Sequence, residues 1–349
     1  MDKEKVLVTG GSGFLGQYLV RKLREQHKEV YILDLLAPEV KGDVFIQGDI
    51  RNIDVCMKAT AGVSVVYHNV AQVPLAKNRE LFESVNILGT RNILEASAIN
   101  QVNSFVYTSS SAVFGLPKDM PANSDSSLKP IEEYGRTKLK GEILVEEYRD
   151  RIANTSIVRP RTILGSGRLG LFSVLFDWVS EGLDIFVFDG GQNAYQFIHA
   201  ADLTDGIIAA GVMQGHNKFN LGAIEYNTLR ADLEDLCRHA GTGSQVRSLP
   251  GWLVRKPLLL GSRMKLIPFA SYQLLLYSQA MYFDSEDDWR TLEVKPTFSN
   301  SKALVESYEW FIQNRELFKS AVKKSVHRSM ANGKSLDLIK YGLKLIKTH

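Results

Sequence analysis

The chain has 349 residues, 44% of them apolar and 23% charged, which is the composition of an ordinary globular protein with a sizeable core. No uninterrupted apolar run approaches the length that spans a bilayer, which excludes a transmembrane protein. The two cysteines, Cys56 and Cys237, match no CxxC or metal spacing, so we expect buried thiols in a reducing, cytoplasmic environment. We expect no signal peptide, because an apolar strand begins almost at Met1.

The net charge of +3 is unevenly placed along the chain. Residues 315–349 contain nine Lys or Arg and two Asp or Glu, which is a local balance of +7. The preceding residues are therefore mildly acidic, and the basic end is predicted to be an appendage rather than a domain.

Residues 6–16, VLVTGGSGFLG, contain the first strong motif. A short apolar run ends in a turn with Gly10, Gly13 and Gly16, and an apolar helical pattern follows at once. Glycines in this order allow a tight turn, a close backbone approach to a pyrophosphate, and close packing of the helix on the strand. The helix N-terminus then offers free N–H groups to phosphates. In this context the motif predicts a dinucleotide cradle, although glycine triplets also occur in ordinary turns.

A second strand, EVYILD, ends at Asp34. A carboxylate at this distance from the glycine turn accepts hydrogen bonds from the adenosine ribose hydroxyls and repels a 2′-phosphate. The alternative is a strand-end aspartate that caps a loop. We interpret Asp34 as the ribose ligand, which predicts NAD rather than NADP as the cofactor.

Strand-like and helix-like segments alternate over the first two thirds of the chain, which predicts an α/β fold with a doubly wound parallel sheet. Ligands in such sheets bind at the carboxyl ends of the strands. After Pro160 the pattern changes to glycine-punctuated turns and short strands, which predicts a smaller lobe. The predicted strands are KVLVTG, EVYILD, VFIQGDI, SVVYHN, SFVYTSS and TSIVRP, followed by IFVFD and FNLG. The predicted helices cover about 14–26, 54–61, 86–100, 134–150, 202–213, 228–239 and 301–314.

Tyr134 and Lys138 form a YxxxK pair at the start of a predicted helix. A spacing of four places both side chains on one helix face. A tyrosine hydroxyl, with a pKa of about 10, is a poor base at neutral pH, and a nearby ammonium favours the phenolate. The pair therefore predicts a catalytic base, although YxxxK also occurs by chance on exposed helices.

The strand SFVYTSS brings Ser110 and its hydroxyl-bearing neighbours to a strand end. A hydroxyl there can hydrogen-bond the substrate oxygen that exchanges its proton with Tyr134, although serine-rich strand ends are also common in plain turns. Four features follow one another along the chain: the glycine cradle, the ribose carboxylate, the serines and the YxxxK pair. Their order favours a catalytic role for the serines and the YxxxK pair.

These motifs resemble the extended short-chain dehydrogenase/reductases, specifically the NAD-dependent epimerase/dehydratase branch, over roughly residues 4–240. The matching segments are TGGSGFLG, GDI, YHNVAQV, VNILGT, TSSSAVFG, YGRTK, VRP and FIHAADL, although Asn69 departs from the commonest forms of the third. The resemblance implies a Rossmann core with Ser110, Tyr134 and Lys138 as catalytic residues. Cofactor contacts are implied or predicted for Gly10, Gly13, Phe14, Leu15, Gly16, Asp34, Asp49, Ile50, Asn69, Val70, Ala71, Asn86, Tyr134, Lys138 and Pro160.

The resemblance also implies a reaction. Tyr134 would take a hydroxyl proton while hydride passes to the nicotinamide, and in epimerases the keto intermediate turns over so that hydride returns to its other face. Dehydratases of the family carry an Asp-Glu pair after the serine or threonine. Here Ser111-Ala112 follow Ser110, which argues against dehydration.

Two departures from the family pattern bear on the substrate. Many members carry Arg-Asp before the FIH-like segment, where the arginine binds a nucleotide diphosphate, but here the positions are Tyr195-Gln196. The usual asparagine after the sixth strand is also absent. Arg161 and Arg168 can supply charge to a phosphate instead, or both can be surface loop cations. The candidate substrate residues are Ser111, Arg161, Arg168 and Tyr195, and His199 is interpreted as a structural histidine.

The predicted organisation is a cofactor-binding core over 1–160, to which about 197–225 return, a mainly substrate-binding lobe over 161–314, and the basic tail. Residues 251–283 are unusually apolar and aromatic. Within the tail, LDLIKYGLKLIK is a basic amphipathic pattern that suits peripheral contact with an anionic membrane, or packing on this protein or a partner subunit. No aromatic interleaving or known module indicates nucleic acid.

The favoured hypothesis is an NAD-dependent epimerase of a nucleotide- or lipid-linked sugar. A hydroxysteroid-type dehydrogenase shares the same catalytic residues, and the apolar stretch 251–283 would suit its substrate. A nucleotide-binding scaffold without turnover is the third hypothesis, and the intact catalytic residues count against it. A homodimer formed through the helices after the fourth and fifth strands is implied by the resemblance. The reacting carbon and the substrate's identity stay open.

Overall fold

The computed structural model describes residues 3–38, 44–72, 79–117, 119–168, 171–252 and 279–316. The strands within these ranges are β1 Lys5–Thr9, β2 Glu29–Asp34, β3 Val44–Gln47, β4 Val65–His68, β5 Ser104–Thr108, β6 Asn154–Pro160, β7 Thr162–Leu164, β8 Ile185–Phe188, β9 Phe197–His199, β10 His216–Leu221 and β11 Val246–Leu249. The α-helices are α1 Phe14–Glu25, α2 Ile53–Thr60, α3 Arg79–Glu83, α4 Thr90–Ile99, α5 Glu133–Glu147, α6 Leu171–Ser180, α7 Ala200–Ala210, α8 Leu229–Ala240, α9 Glu286–Thr291 and α10 Asn300–Gln313.

A seven-stranded sheet forms the centre of the molecule, in the order β10-β6-β5-β4-β1-β2-β3. Every neighbouring pair is parallel, which confirms the predicted doubly wound fold. Helices cover both faces of a sheet of this kind, so its central strands are buried on both sides. The strand β6 is accordingly buried along its whole length. The late strand β10 pairs with β6, so the chain returns to the sheet after forming part of the smaller lobe.

Helices cover both faces of the sheet. On one face α1 and α7 bury Leu19, Leu23 and Ile207 against the strands. On the other face, α4 and α5 bury Leu94 and Leu144. The carboxyl ends of the strands are left open between these layers, which is where parallel sheets bind ligands.

The smaller lobe has its own apolar core. Two short parallel pairs, β8 with β11 and β7 with β9, contribute to it. Aromatic side chains fill its interior, with Phe176 packed against Tyr308 and Phe311, and Phe172 against Phe197. The strand β7 directly follows β6 and pairs with β9, which leads through α7 into β10, so this pair connects the lobe to the main sheet.

Element boundaries differ from the sequence expectations at several places. The predicted helix over 86–100 begins earlier, as α3 and a π-helical turn over Ser84–Gly89 precede α4. The strand predicted through residue 50 ends at Gln47. Most of the apolar segment, residues 253–278, and most of the basic tail, residues 317–349, lie outside the described residues. Among those that are described, no helix is long and apolar enough to cross a bilayer.

A buried ion pair fastens α5 to the sheet. The guanidinium of Arg159 on β6 donates two hydrogen bonds to the Glu142 carboxylate on α5, at 2.9 Å from Nε and 2.6 Å from a terminal nitrogen. Ser109 Oγ donates to the same carboxylate at 2.5 Å. Both charged side chains are almost fully buried, with exposed fractions of 2% and 4%. The carboxylate is thus held by the two strands next to α5, which fixes that helix.

Replacing Arg159 by Met should destabilise the fold by about 3–5 kcal/mol, because it leaves the Glu142 charge buried without its cation. The double variant Arg159→Met/Glu142→Leu should recover much of this loss, because neither charge is then buried. Urea unfolding of the three proteins measures the difference. A small loss of unfolding free energy in Arg159→Met would show that the Glu142 charge does not need Arg159 as its buried partner.

Candidate active site

The glycine loop between β1 and α1 forms an open backbone cradle. Gly10 has a φ of +71°, which favours glycine, and its carbonyl accepts a hydrogen bond from the Gly13 amide at 3.0 Å. A Cβ on Gly16 would lie 2.0 Å from the Gly10 oxygen, so no side chain fits between helix and loop. The N-cap of α1 is Gly13, which has no side chain to cap the first turn. The helix N-terminus is therefore suited to bind an anion, and a dinucleotide pyrophosphate fits it.

Asp34 lies at the carboxyl end of β2 and faces this loop. Its carboxylate accepts hydrogen bonds from the Ser12 and Leu36 amides, each at 3.1 Å. The carboxylate is thus fixed beside the cradle, where its charge disfavours a cofactor that carries a 2′-phosphate.

The Asp49-Ile50 pair, which is predicted to contact adenine, lies between β3 and α2. The Arg51 side chain hydrogen-bonds the Asp49 carboxylate and so lowers its pKa. The Ile50 side chain is buried against Gly89, where a Cβ would lie 2.3 Å from Ile50 Cδ1. A contact from Ile50 to adenine would therefore come from its backbone, and the contact stays a prediction.

The segment after β4 is fixed by hydrogen bonds. Thr108 Oγ1 donates to Asn69 Oδ1 at 2.6 Å, and the backbone of Val70 lies directly under Gly10. Asn86 accepts from the Gln72 amide at 2.7 Å and donates to Thr137 at 2.9 Å. Asn86 therefore links this segment, which includes Ala71, to α5. Its side chain positions the segment, while its predicted contact with the cofactor is untested.

The start of α5 packs against the short 3₁₀ turn Ser111–Phe114 that follows Ser110, which brings Tyr134 near Ser110. Gly135 allows this approach, because a Cβ there would lie 2.5 Å from the Ala112 oxygen. Burial raises the pKa of Tyr134, whereas the Ser110 hydrogen bond and the charge of Arg168 lower it.

Lys138 is buried and bound to β5. Its ammonium donates to the Thr108 carbonyl at 2.7 Å and lies 4.8 Å from the centre of the Tyr107 ring. Burial lowers its pKa to about 7, and the Glu142 carboxylate partly opposes that change. The neighbouring His68 is neutral, because burial and the Lys138 charge lower its pKa to about 3. The YxxxK pair thus shares a helix face, but the ammonium is held at the strand.

Three of the four candidate substrate residues form one cluster. A terminal nitrogen of Arg161 donates to Ser111 Oγ at 2.8 Å, and the guanidinium lies 5.0 Å from the centre of the Tyr195 ring. Arg161 is only 2% exposed, so the alternative of a surface loop cation is wrong for it. Pro160 ends β6 directly before this cluster. The neighbouring Gln196 is structural, since its amide donates to the Ala223 carbonyl at 2.8 Å.

Arg168, the fourth candidate, lies apart from that cluster. Its half-buried guanidinium is 5.1 Å from the centre of the Phe14 ring at the start of α1, with Leu15 next along the helix. Its charge lowers the pKa of Tyr134. Arg168 therefore lies partly buried beside the start of α1 rather than on the outer surface.

His199 has the structural role expected of it. Its Nδ1 accepts from the Ala201 amide at the start of α7, and Nε2 lies 3.1 Å from a Glu306 oxygen. The ring also stacks on Phe298 at 3.7 Å between centres. Both ring nitrogens are thereby used in packing the lobe onto the core.

Sequence reasoning missed three charged residues around the site. Glu142 and Arg159 form the buried pair. The spacing of four from Lys138 to Glu142 could have predicted part of this, because it places Glu142 on the same face of α5 as Tyr134 and Lys138. Glu132 immediately precedes α5, and burial raises its pKa to about 7. Its charge raises the pKa of Tyr134. The described residues contain no cluster able to hold a metal ion.

Comparison with known sequences identifies relatives. A sequence model of the NAD dependent epimerase/dehydratase family matches residues 6–222. The protein y4nG of Sinorhizobium fredii, described as uncharacterised, is 42% identical over 97% of this chain and 86% of its own length. Mouse sterol-4-alpha-carboxylate 3-dehydrogenase (decarboxylating) is 32% identical, over 59% of each chain. A provisionally named UDP-glucose 4-epimerase of Methanocaldococcus jannaschii is 31% identical, over 57% of this chain and 70% of that one.

Solved structures establish the fold. An epimerase of Methanothermobacter thermautotrophicus superposes with a TM-score of 0.76 at 22% identity, covering 92% of this chain and 95% of that one. The UDP-N-acetylglucosamine 4-epimerase of Bacillus cereus gives a TM-score of 0.72 at 19% identity, covering 88% and 99%. The family match spans the sheet from β1 to β10. The chain therefore belongs to the NAD-dependent epimerase/dehydratase family, as an enzyme of the extended short-chain dehydrogenase/reductase type whose cofactor is NAD.

Proposed function

We propose that this enzyme is an epimerase of a nucleotide- or lipid-linked sugar. The observation that carries the proposal is the packing of the start of α5 on the turn after Ser110, which brings Tyr134 and Ser110 to the same carboxyl edge of the sheet. Two hydroxyls placed in this way can share a substrate oxygen and exchange its proton. The name of the archaeal relative and the sugar epimerases among the solved structures support the sugar substrate.

The chain's own groups supply binding and proton transfer. When bound, NAD supplies the hydride acceptor and donor. The glycine cradle would hold its pyrophosphate, Asp34 its adenosine ribose, and Lys138 its nicotinamide ribose. Ser110 orients the substrate hydroxyl, and Tyr134 takes its proton and later returns it. The remaining predicted cofactor contacts, those of Asp49, Asn69 and Asn86 among them, complete the proposed site.

The cluster of Ser111, Arg161 and Tyr195 is proposed to bind the substrate. It combines the buried Arg161 guanidinium with the hydroxyl of Ser111, the residue after Ser110. Such a guanidinium suits the anionic group of a linked sugar, because it neutralises that charge. The lobe over 161–314 is therefore proposed as the part that selects the substrate.

A hydroxysteroid-type dehydrogenase is the second candidate. The observation that favours it is the similarity to mouse sterol-4-alpha-carboxylate 3-dehydrogenase, which is 32% identical over 59% of this chain. Both candidates use Ser110 and Tyr134 in the same way, and they differ in whether reduced cofactor leaves the enzyme. A scaffold without turnover is disfavoured by the placement of Tyr134 beside the turn that follows Ser110, which a purely nucleotide-binding protein does not need.

A homodimer through the helices after the fourth and fifth strands is also proposed. Those helices expose apolar side chains that a monomer would leave in water: Leu88 is 46% exposed and Ile143 is 50% exposed. Location in the cytoplasm and contact of the basic tail with an anionic membrane remain proposals drawn from the sequence.

The first prediction concerns turnover. We expect the purified protein to release tightly held NAD on denaturation, and to interconvert 4-epimers of a UDP-sugar without net formation of NADH. Tyr134→Phe should lower the rate about 10²- to 10⁴-fold yet keep the nucleotide, because only the proton-transferring oxygen is lost. Assays with UDP-glucose, UDP-N-acetylglucosamine and a sterol alcohol measure this. Net NADH formation with the sterol alone would favour the dehydrogenase.

The second prediction concerns Glu132. Burial raises the pKa of Glu132 from 4.5 to about 7. Between these pH values Glu132 keeps its proton in the folded protein and loses it in the unfolded protein. Wild-type stability should therefore fall as the pH rises from about 4.5 through 7. Glu132→Gln should remove this fall and be more stable at pH 8 by about 1–2 kcal/mol, after discounting for solvent contact. The two proteins should be equally stable at pH 4.

Thermal unfolding across this pH range measures the effect. Glu133→Gln is the matched control, because Glu133 lies beside Glu132 but in ion pairs with Arg79 and Arg136 near the surface. Identical pH profiles for wild type and Glu132→Gln would contradict the burial of this carboxyl.

The third prediction concerns assembly. Ile143→Lys should convert the dimer to a monomer, because it places a charge in the proposed apolar interface. Val212→Lys is the control, since Val212 is 66% exposed but follows α7 on the other side of the sheet. Sedimentation velocity measures the mass of each protein. A monomeric wild type, or an Ile143→Lys variant that stays dimeric, would refute this interface.

A further inference from the structure

His68 ends β4, directly before residues 69–71, which are predicted to contact the cofactor. Its side chain is fully buried, and its ring stacks on that of Tyr107 at 5.8 Å between centres. Any aromatic side chain of this size would meet that packing. His68 also uses both ring nitrogens: Nδ1 lies 2.7 Å from Thr9 Oγ1, and Nε2 lies 3.0 Å from Thr90 Oγ1. These hydrogen bonds give the residue a role that packing does not require.

The two threonines fix the tautomer of the His68 ring. Thr90 Oγ1 donates its only proton to the Asn86 backbone carbonyl at 2.8 Å, so it must accept from His68 Nε2, which carries the ring proton. In the neutral ring Nδ1 is then an acceptor, and Thr9 Oγ1 donates to it. The Thr9 hydroxyl oxygen in turn accepts from the Asn69 amide at 3.2 Å. Each of these hydrogen bonds therefore has one possible direction.

The chain of hydrogen bonds continues through the Asn86 side chain to α5. The side-chain amide nitrogen of Asn86 donates to Thr137 Oγ1 at 2.9 Å, and the Thr137 hydroxyl donates to the Tyr134 carbonyl at 3.0 Å. The side-chain oxygen of Asn86 accepts from the Gln72 amide at 2.7 Å. One directed chain therefore joins Thr9, the last residue before the glycine cradle, to the segment after β4 and to the backbone of Tyr134.

Asn86 itself lies in an unusual backbone conformation. It belongs to the π-helical turn Ser84–Gly89, which directly precedes α4. Turns of this kind are rare and occur frequently at functional sites. The Thr90 hydroxyl binds the Asn86 carbonyl of this turn, and His68 binds that hydroxyl from the sheet. His68 thus anchors to the sheet the turn that presents the Asn86 side chain.

We propose that His68 is a positioning residue, which through Thr90 holds Asn86 where the cofactor-binding segment meets the helix that carries Tyr134. The Nε2 hydrogen bond sets the position of Asn86, and the Nδ1 hydrogen bond ties the same unit to the end of β1. NAD binding should therefore depend on a hydrogen bond that is buried below the site. An effect on turnover would rest on the proposed function of Tyr134, whereas the effects on NAD binding and on the ring tautomer do not.

The experiment compares the NAD affinities of His68→Gln and His68→Asn, measured by titration of the apo-protein. A glutamine amide reaches the position of Nε2 and keeps the donor to Thr90, whereas the shorter asparagine reaches only the position of Nδ1. His68→Asn should weaken NAD binding about tenfold or more, because the hydrogen bond to Thr90 is lost, and His68→Gln should keep most of the wild-type affinity. His68→Phe keeps the packing on Tyr107 without hydrogen bonds and should behave like His68→Asn.

Ile207→Ala is the control for general destabilisation, because Ile207 is buried on α7, against the other face of the sheet. It should lower the melting temperature and leave the NAD affinity unchanged. An equal loss of NAD affinity in His68→Gln and His68→Asn would show that only packing matters, and it would overturn the proposal. Unchanged affinity in both variants would overturn it as well.

The wild-type protein gives a second test that needs no variant. Nitrogen NMR of the His68 ring distinguishes a protonated from an unprotonated ring nitrogen, and it should show a proton on Nε2 and none on Nδ1. A proton on Nδ1 would overturn the proposal, because Thr9 could then not donate to the ring. Neither measurement uses a substrate, so failure of the proposed sugar chemistry leaves both tests intact.

Discussion

The Glu142 carboxylate holds the catalytic helix in place. It accepts two hydrogen bonds from Arg159 on β6 and one from Ser109 at the end of β5. A charge buried this deeply is tolerated only when its hydrogen-bonding capacity is met, and here two strands and one helix must be in register to meet it. Tyr134 and Lys138 lie on that helix, and Ser110 follows Ser109. The geometry of the site is thus a consequence of one satisfied buried carboxylate.

Burial shifts the pKa values of Tyr134 and Lys138, which are predicted to be catalytic, and of their neighbour Glu132. It raises the pKa of Tyr134 and of Glu132, and it lowers that of Lys138 to about 7. These three groups lie within two turns of one helix, so a change of charge on one acts on the others. A buried cluster of this kind costs stability and is typical of functional sites.

The candidate site is built from two parts of the chain, the sheet with its glycine loop and the residues after β6. The sheet and its glycine loop form the part that the family shares, and the match to residues 6–222 covers it. The proposed substrate residues Arg161 and Tyr195 come after β6, where this sequence departs from the family pattern, and Arg161 is hydrogen-bonded to Ser111. The proposed substrate cluster thus joins the later part of the chain to the residue that follows Ser110.

The sequence by itself determined the sheet and the glycine cradle, and it placed Tyr134 and Lys138 on one helix face. Apolar runs, the glycines and the spacing of four are local signals, and neighbouring residues alone decide them. Local spacing also predicted that the Lys138 ammonium would act on Tyr134. In the structure this ammonium donates to the Thr108 carbonyl, because the strand that packs against the helix decides which group it contacts.

Only the tertiary structure decided the partners of charged side chains. The structure pairs Arg159 with Glu142, buries Arg161 and places Arg168 against Phe14, and these contacts join segments far apart in the chain. No periodicity encodes such contacts, because they depend on how the lobe folds back over the sheet edge. The burial that shifts the pKa of Lys138 and Glu132 arises in the same way. It is a property of the packed molecule and not of any segment.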